Sequence, residues 1–149
     1  QYQMKGMKGQ SNHNLDAKGR LIIPSRLRDG LGSKFVLCKG MDKNIYAYPE
    51  EEWEKFSDKL NSLPISDKNA RKFQNFFQGS ATECEVDGQF RIVIPQLLRT
   101  WAGIDKEVVL VGNGTTVEIW DKDAWDKYNS VDEMDIDEIS MDMSAKYGI

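Results

Sequence analysis

An internal repeat limits how this chain can fold more than any other feature. The run Leu15-Asp16-Ala17-Lys18-Gly19-Arg20-Leu21-Ile22-Ile23-Pro24-Ser25-Arg26-Leu27-Arg28 returns as Val86-Asp87-Gly88-Gln89-Phe90-Arg91-Ile92-Val93-Ile94-Pro95-Gln96-Leu97-Leu98-Arg99. Each copy has an aspartate, an arginine four positions on, three aliphatic residues, a proline, and a second arginine four past the proline. After one inserted residue the match continues, with Lys34, Val36, Gly40, Trp53 and Lys55 answered by Lys106, Val108, Gly112, Trp125 and Lys127. Tyr128 likewise answers Phe56. A repeat of this length marks a duplicated structural unit. Half-units of about 45 residues bury too little apolar surface to stand alone. The two copies are therefore expected to interleave around one core, related by a pseudo-twofold axis as two subunits of a dimer would be.

Each copy spells the same elements. A strand leads to a tight turn, at Lys18-Gly19 or Asp87-Gly88, where glycine is expected to take the positive φ of a hairpin. The returning strands, Arg20–Ile23 and Arg91–Ile94, are continuously aliphatic after the arginine, which predicts burial on both faces. Pro24 and Pro95 end them and are expected at the first position of a short helix. Those helices carry Leu27 and Leu31, or Leu98 and Ala102, and stop at Gly32 or Gly103. Strands follow over 34–39 and 44–48, and over 107–111 and 116–120. A helix then closes each unit. Over 49–60, Glu50, Glu51 and Glu52 suit the positive end of the helix dipole, and Trp53, Phe56 and Leu60 share one face. A connecting helix over 66–78 sets Lys68, Arg71 and Lys72 beside Phe73, Phe76 and Phe77. The tail beyond residue 129 reads equally as an amphipathic helix or as disorder. The domain organisation expected is residues 1–9 as an N-terminal extension outside the fold and in part a cloning remnant. A first repeat over 10–60, a linker helix over 61–80, a second repeat over 81–128 and an acidic tail over 129–149 follow.

The net charge of −4 argues against a nucleic-acid partner only until it is divided along the chain. From residue 129 on, Asp132, Glu133, Asp135, Asp137, Glu138 and Asp142 face Lys146 alone, a net of −5 that leaves +1 for the rest. Residues 5–39 are basic, with Lys5, Lys8, Lys18, Arg20, Arg26, Arg28, Lys34 and Lys39 against Asp16 and Asp29. This local asymmetry says more about partners than the whole-chain charge does. No apolar run reaches the roughly 20 residues of a membrane helix, so a soluble, cytoplasmic protein is expected. Cys38 and Cys84 lack the paired spacing of a zinc or redox motif and read as small apolar side chains.

The arginines carry the functional reading. Arg20 with Asp16, and Arg91 with Asp87, read as ion pairs across their own turns, and Arg28 and Arg99 as helix-end residues. The first turn also carries Lys18, and the helix after it Arg26, charge that the second copy lacks at Gln89 and Leu97. An ion pair needs neither. Arginine grips guanine O6 and N7 or phosphate, and lysine adds a mobile cation. For an enzyme the chain offers His13 as its one histidine and no nucleophile–base pair, phosphate-cradling loop or metal constellation. No cofactor, metal or small-molecule substrate is expected.

These residues resemble the MraZ family of bacterial transcription factors, marked by a tandem D-x-K-G-R-x-x-x-P-x-x-x-R signature. Asp16, Lys18, Gly19, Arg20, Pro24 and Arg28 meet it in full. The second copy meets it at Asp87, Arg91, Pro95 and Arg99 but has Gln89 and Phe90 for lysine and glycine. The resemblance runs from about Asn14 to Tyr128. It implies an α+β fold of two AbrB-like swapped-hairpin half-domains, forming one pseudo-twofold double-psi-type β-barrel with short flanking helices. It further implies a sequence-specific, nucleoid-associated DNA-binding regulator of a division and cell-wall gene cluster, acting as a ring-shaped homo-oligomer on repeated promoter boxes. Lys18 and Arg20 map onto the family's DNA-contacting motif, Arg26 and Arg28 less directly, and Arg91 is the second copy's counterpart of Arg20. The rival reading is an AbrB-like interaction module, such as a toxin partner or scaffold.

Overall fold

The computed structural model describes residues 6–149. The first copy comprises β1 (Gln10–Asn14), β2 (Arg20–Ile22), α1 (Ser25–Leu31), β3 (Lys34–Lys39), β4 (Ile45–Pro49) and α2 (Glu50–Asn61). After α3 (Lys68–Gln78), the second comprises β5 (Thr82–Glu85), β6 (Arg91–Val93), α4 (Gln96–Ala102), β7 (Glu107–Asn113), β8 (Thr116–Asp121) and α5 (Lys122–Tyr128). The acidic tail, which the sequence left open between helix and disorder, forms α6 (Ile136–Tyr147), capped by Asp135 and with none of its residues buried.

The strands before and after each tight turn do not pair with one another, so the expected hairpins are replaced by exchange between the copies. β1 runs antiparallel to β7 of the second copy, β5 antiparallel to β3 of the first, and β2 pairs with β6. The result is a six-stranded antiparallel sheet ordered β1-β7-β8-β4-β3-β5 and a separate two-stranded ladder β2-β6. Two pairings mark the pseudo-twofold axis because each joins a residue to its own repeat counterpart: Leu21 with Ile92, and Tyr46 with Glu118.

Strand register corrects the repeat alignment. His13 faces Val108 and its counterpart Cys84 faces Phe35. Val108 is therefore the structural equivalent of Phe35, not of Val36 as residue identity implies. The second copy has one more extra residue before β7, and its β7–β8 turn is one shorter. Side-chain period in a strand is two, so this slip decides which of Val36 and Phe35 faces the shared core.

That core is common to both copies. Leu21, Ile23, Leu27 and Leu31 meet Ile92, Ile94, Leu98 and Ala102 beneath Phe35, Leu37, Ile45, Val108, Leu110 and Ile119. Met7 is buried in it as well; its amide bonds Gly114 O at 2.8 Å, and Gly9 O accepts from Gly112 N at 2.8 Å. Residues 7–9 thus belong to the fold rather than to an extension outside it, while residues 1–5 of that expected segment lie outside the described residues. A second cluster forms where α2 and α3 cover the sheet. Leu60 and Phe77 close over Cys38 there, with Tyr46, Tyr48, Trp53 and Phe56 around them. On the other half Trp120, Trp125 and Tyr128 pack together.

Two local expectations also shift. Pro24 and Pro95 stand one position earlier than expected, as N-caps with ψ of 150° and 147°, and set the extended entry into α1 and α4. The returning strands are buried on one face only. Leu21 and Ile92 are covered, but Ile22 is 52 % and Val93 55 % exposed. No strand or helix among the described residues covers the outer side of this two-stranded ladder.

Candidate nucleic-acid interface

The two turns are near copies in geometry. In the first, Asp16 Oδ1 accepts from the amides of Lys18 and Arg20, each at 2.9 Å, and Oδ2 accepts from Arg20 Nε at 2.5 Å. In the second, Asp87 Oδ1 accepts from the amides of Gln89 and Arg91 at 2.9 Å, and Oδ2 from Arg91 Nε at 2.9 Å. An aspartate bonding amides two and four residues on is a side-chain substitute for a backbone turn. The amide of Arg20 first, then its guanidinium and the amide of Lys18, hold the Asp16 carboxyl below its ordinary range. The amides of Arg91 and Gln89 and the Arg91 side chain do the same for Asp87. Each carboxylate thus fixes its arginine by Nε, and among the described residues nothing else bonds the outer guanidinium edge.

Each turn is also latched to the other copy. Ile94 N donates to Gly19 O at 3.0 Å and Ile23 N to Phe90 O at 2.8 Å. These bonds extend the β2–β6 ladder at both ends. In its register Arg20 faces Val93 and Ile22 faces Arg91. Alternation puts these four side chains on the outward face while Leu21 and Ile92 point into the core.

The copies diverge at the left-handed residue. Gly19 takes φ +74° as expected, but in the second turn the positive φ belongs to Phe90 (+60°) and not to Gly88. The Asp87 side chain sets the turn's course, and the reversal falls three residues after it whatever stands there. Phe90 is 47 % exposed, and its ring supports the Arg28 guanidinium at 3.6 Å from its centroid. Arg28 Nε also donates to Ile23 O at 2.9 Å. The counterpart, Arg99, lies against bare Gly19, where an added Cβ would come within 2.9 Å of its guanidinium carbon. Arg99 Nε is buried and has no hydrogen-bond partner among the described residues.

Of the residues singled out from sequence, Lys18, Arg20 and Arg91 share the turn-and-ladder surface, with Lys18 exposed. Arg28 sits below the second turn. Arg26 points away from that surface and serves the fold. Its Nη1 donates to Lys8 O at 2.7 Å, and its Nη2 to Ser11 Oγ at 2.9 Å and Leu110 O at 3.2 Å. It fastens the chain's entry and β1 to β7. Ser11 Oγ lies 2.7 Å from His13 Nε2. Burial, and then the charge of Arg26, hold the His13 imidazole below its usual pKa. Burial pushes both thiols, Cys38 and Cys84, up to about 12, far from reactive thiolates. Ile22 and Val93 were missed from sequence. Their aliphatic run hides the alternation, and only the absence of a covering layer exposes them.

Comparison with known proteins agrees with the duplicated organisation of the chain. The model of the family described as "MraZ protein, putative antitoxin-like" matches twice in tandem, over residues 7–76 and 77–145. A protein of Desulforamulus reducens named "Transcriptional regulator MraZ" is 48 % identical over 132 residues, covering 89 % of this chain and 93 % of its own. Proteins of the same name from Acetivibrio thermocellus (48 % over 136 residues, 91 % and 95 % covered) and Heliobacterium modesticaldum (49 % over 121 residues, 81 % and 85 %) are similarly related. Two tandem matches and near-half identity over most of both chains establish that this chain belongs to the MraZ family.

Proposed function

We propose that the protein is a sequence-specific DNA-binding transcriptional regulator that inserts its paired turns and the β2–β6 ladder into the major groove. One observation carries this: two carboxylate-braced arginines, Arg20 and Arg91, stand on a single outward face about a pseudo-twofold axis. A two-stranded ribbon fits the major groove, and a guanidinium with a free edge suits guanine O6 and N7. Arg20 and Lys18 lead the contact, Arg91 serves at the second end, Arg28 supports the second turn from Ile23 O and the Phe90 ring, and Arg26 acts indirectly by fastening β1 to β7. The relatives' name as transcriptional regulators supports the same reading.

The finer features follow as parts of this proposal. The six-stranded sheet and the ladder together form a barrel of the double-psi type, built from repeats over 10–60 and 81–128 with 61–80 between them. Several copies assemble into a ring, which would set the same turns against repeated boxes in a division and cell-wall promoter and gain affinity by effective concentration. The place of action is the cytoplasm, at the nucleoid. Among the described residues no helix is long and apolar enough to cross a membrane.

Fluorescence anisotropy on a duplex with tandem candidate boxes, against a scrambled duplex and across a salt series, tests the proposal. Wild-type protein should prefer the boxes and weaken steeply with salt. Arg20→Ala should lose about tenfold or more, and Lys18→Ala should lower the salt slope by about one. Equal binding by Arg20→Ala would remove the site. Absence of binding to any duplex at low salt, with a stoichiometric protein partner on purification, would favour the antitoxin-like interaction module.

A further inference from the structure

The outer face of the β2–β6 ladder combines two chemistries that seldom share a surface. Arg20 and Arg91 are flanked there by Ile22 and Val93, which are more than half exposed. The side chains beneath, Leu21 and Ile92, are buried, so the ladder cannot roll to hide the aliphatic pair. Backbone bonds latch both ends. The exposed pair is therefore a fixed part of the surface.

We propose that Ile22 and Val93 read thymine 5-methyl groups, each next to the base pair addressed by the arginine that faces it across the ladder. The inference rests on the DNA-binding reading above and adds a specificity determinant to it. The floor of the major groove offers guanine acceptors and thymine methyls, between phosphate walls. Arginine matches the acceptors and a β-branched aliphatic matches the methyls, with little rotamer freedom to lose. Cross-strand side chains stand on the order of 5 Å apart, more than the ~3.4 Å between successive bases. Val93 and Arg20 therefore fall on neighbouring base pairs, as do Ile22 and Arg91. A second copy of the chain fits this face poorly. Self-association about the axis would bring four guanidiniums together.

The two ends differ in charge. Arg20 and Val93 lie at the end that carries Lys18, whereas Arg91 and Ile22 lie at the end that carries Gln89. The methyl contact should matter more at the second end, where less phosphate attraction supports binding.

The probe is a duplex selected from random sequence by the full-length protein. Each thymine is then replaced singly by deoxyuridine, which removes only the methyl. Wild-type protein should lose about fourfold in affinity at a contacted thymine. Ile22→Ser and Val93→Ser should bind the two duplexes alike at the position each reads, while Ile22→Val keeps the discrimination. If wild-type protein binds the selected duplex and Arg20→Ala does not, yet no deoxyuridine has an effect, the methyl reading is overturned and the DNA reading survives. If the serine variants instead change the assembly size in sedimentation with methyl sensitivity still absent, the face is a contact between copies and the inference fails. If the selection yields no preferred duplex and Arg20→Ala binds as the wild type does, both readings fall.

Discussion

The two turns keep one frame and differ in what they offer the outside. Asp16 and Asp87 make the same set of bonds, and Arg20 and Arg91 are held by the same nitrogen. Beyond the frame, the first turn carries Lys18 and Gly19, and the second Gln89 and Phe90. Gly19 adopts its left-handed conformation without penalty and lets Arg99 close on the backbone. Phe90 adopts the same conformation at a cost of order 1 kcal/mol and supports Arg28 with its ring. Duplication thus preserved the brace that aims the arginine and released the turn's other positions. One turn became the more cationic; the other became partly a prop for its neighbour's helix.

The core sets the first test of how equal the halves are. Leu21 and Ile92 are buried partners on the axis, and truncating either to alanine should destabilise the protein by about 2–5 kcal/mol. Denaturant unfolding should give near-equal losses for the two variants; a difference approaching the full effect of one would mean that the copies are not energetically equivalent at their centre.

The turns should part company at the next level. Gly19→Ala forces a Cβ into the left-handed region and towards Arg99, and should cost about 1–2 kcal/mol. Phe90→Gly relieves the same conformation while losing a cation–π contact of about 0.5–1 kcal/mol, so its net effect should be near zero. Chemical denaturation of the pair checks this, and equal losses would erase the proposed division of labour.

The smallest effect concerns acid. Both turn carboxyls are held below the unfolded value of about 3.9, so their contribution is complete above it and is lost as pH falls through the folded values. Melting temperature measured from pH 6 to 3 should drop on the acid side. The drop should be shallower in Asp16→Asn and in Asp87→Asn, and by similar amounts. A flat response in one copy would show that the two braces differ after all.

Much of this was legible beforehand because short-range rules govern it. Gly32 and Gly103 stop their helices, and Trp53, Phe56 and Leu60 form an apolar face. The aspartate-to-arginine spacing makes the ion pairs in both copies. The misreadings share a different cause. Matching Val36 to Val108 by identity ignored that a one-residue slip in a loop is cheap, while a strand's register answers to the core. Assigning the positive φ to Gly88 followed a dipeptide rule, whereas the Asp87 side chain sets the turn. Arg26 looked like free basic charge because its acceptors, Lys8 O, Ser11 Oγ and Leu110 O, come from distant parts of the chain.

By itself the sequence determined that one unit occurs twice, which elements each unit contains, and which arginines stand in equivalent positions, since spacing and local propensity suffice for these. Only the tertiary structure decided that β1 and β5 change places between the copies. It also decided that Met7 enters the core, that Phe90 carries a left-handed turn and sets its ring against Arg28, and that Ile22 and Val93 face outward. These outcomes depend on which strands meet and what covers them, and pairings between residues some 50 to 100 positions apart leave no mark on local sequence.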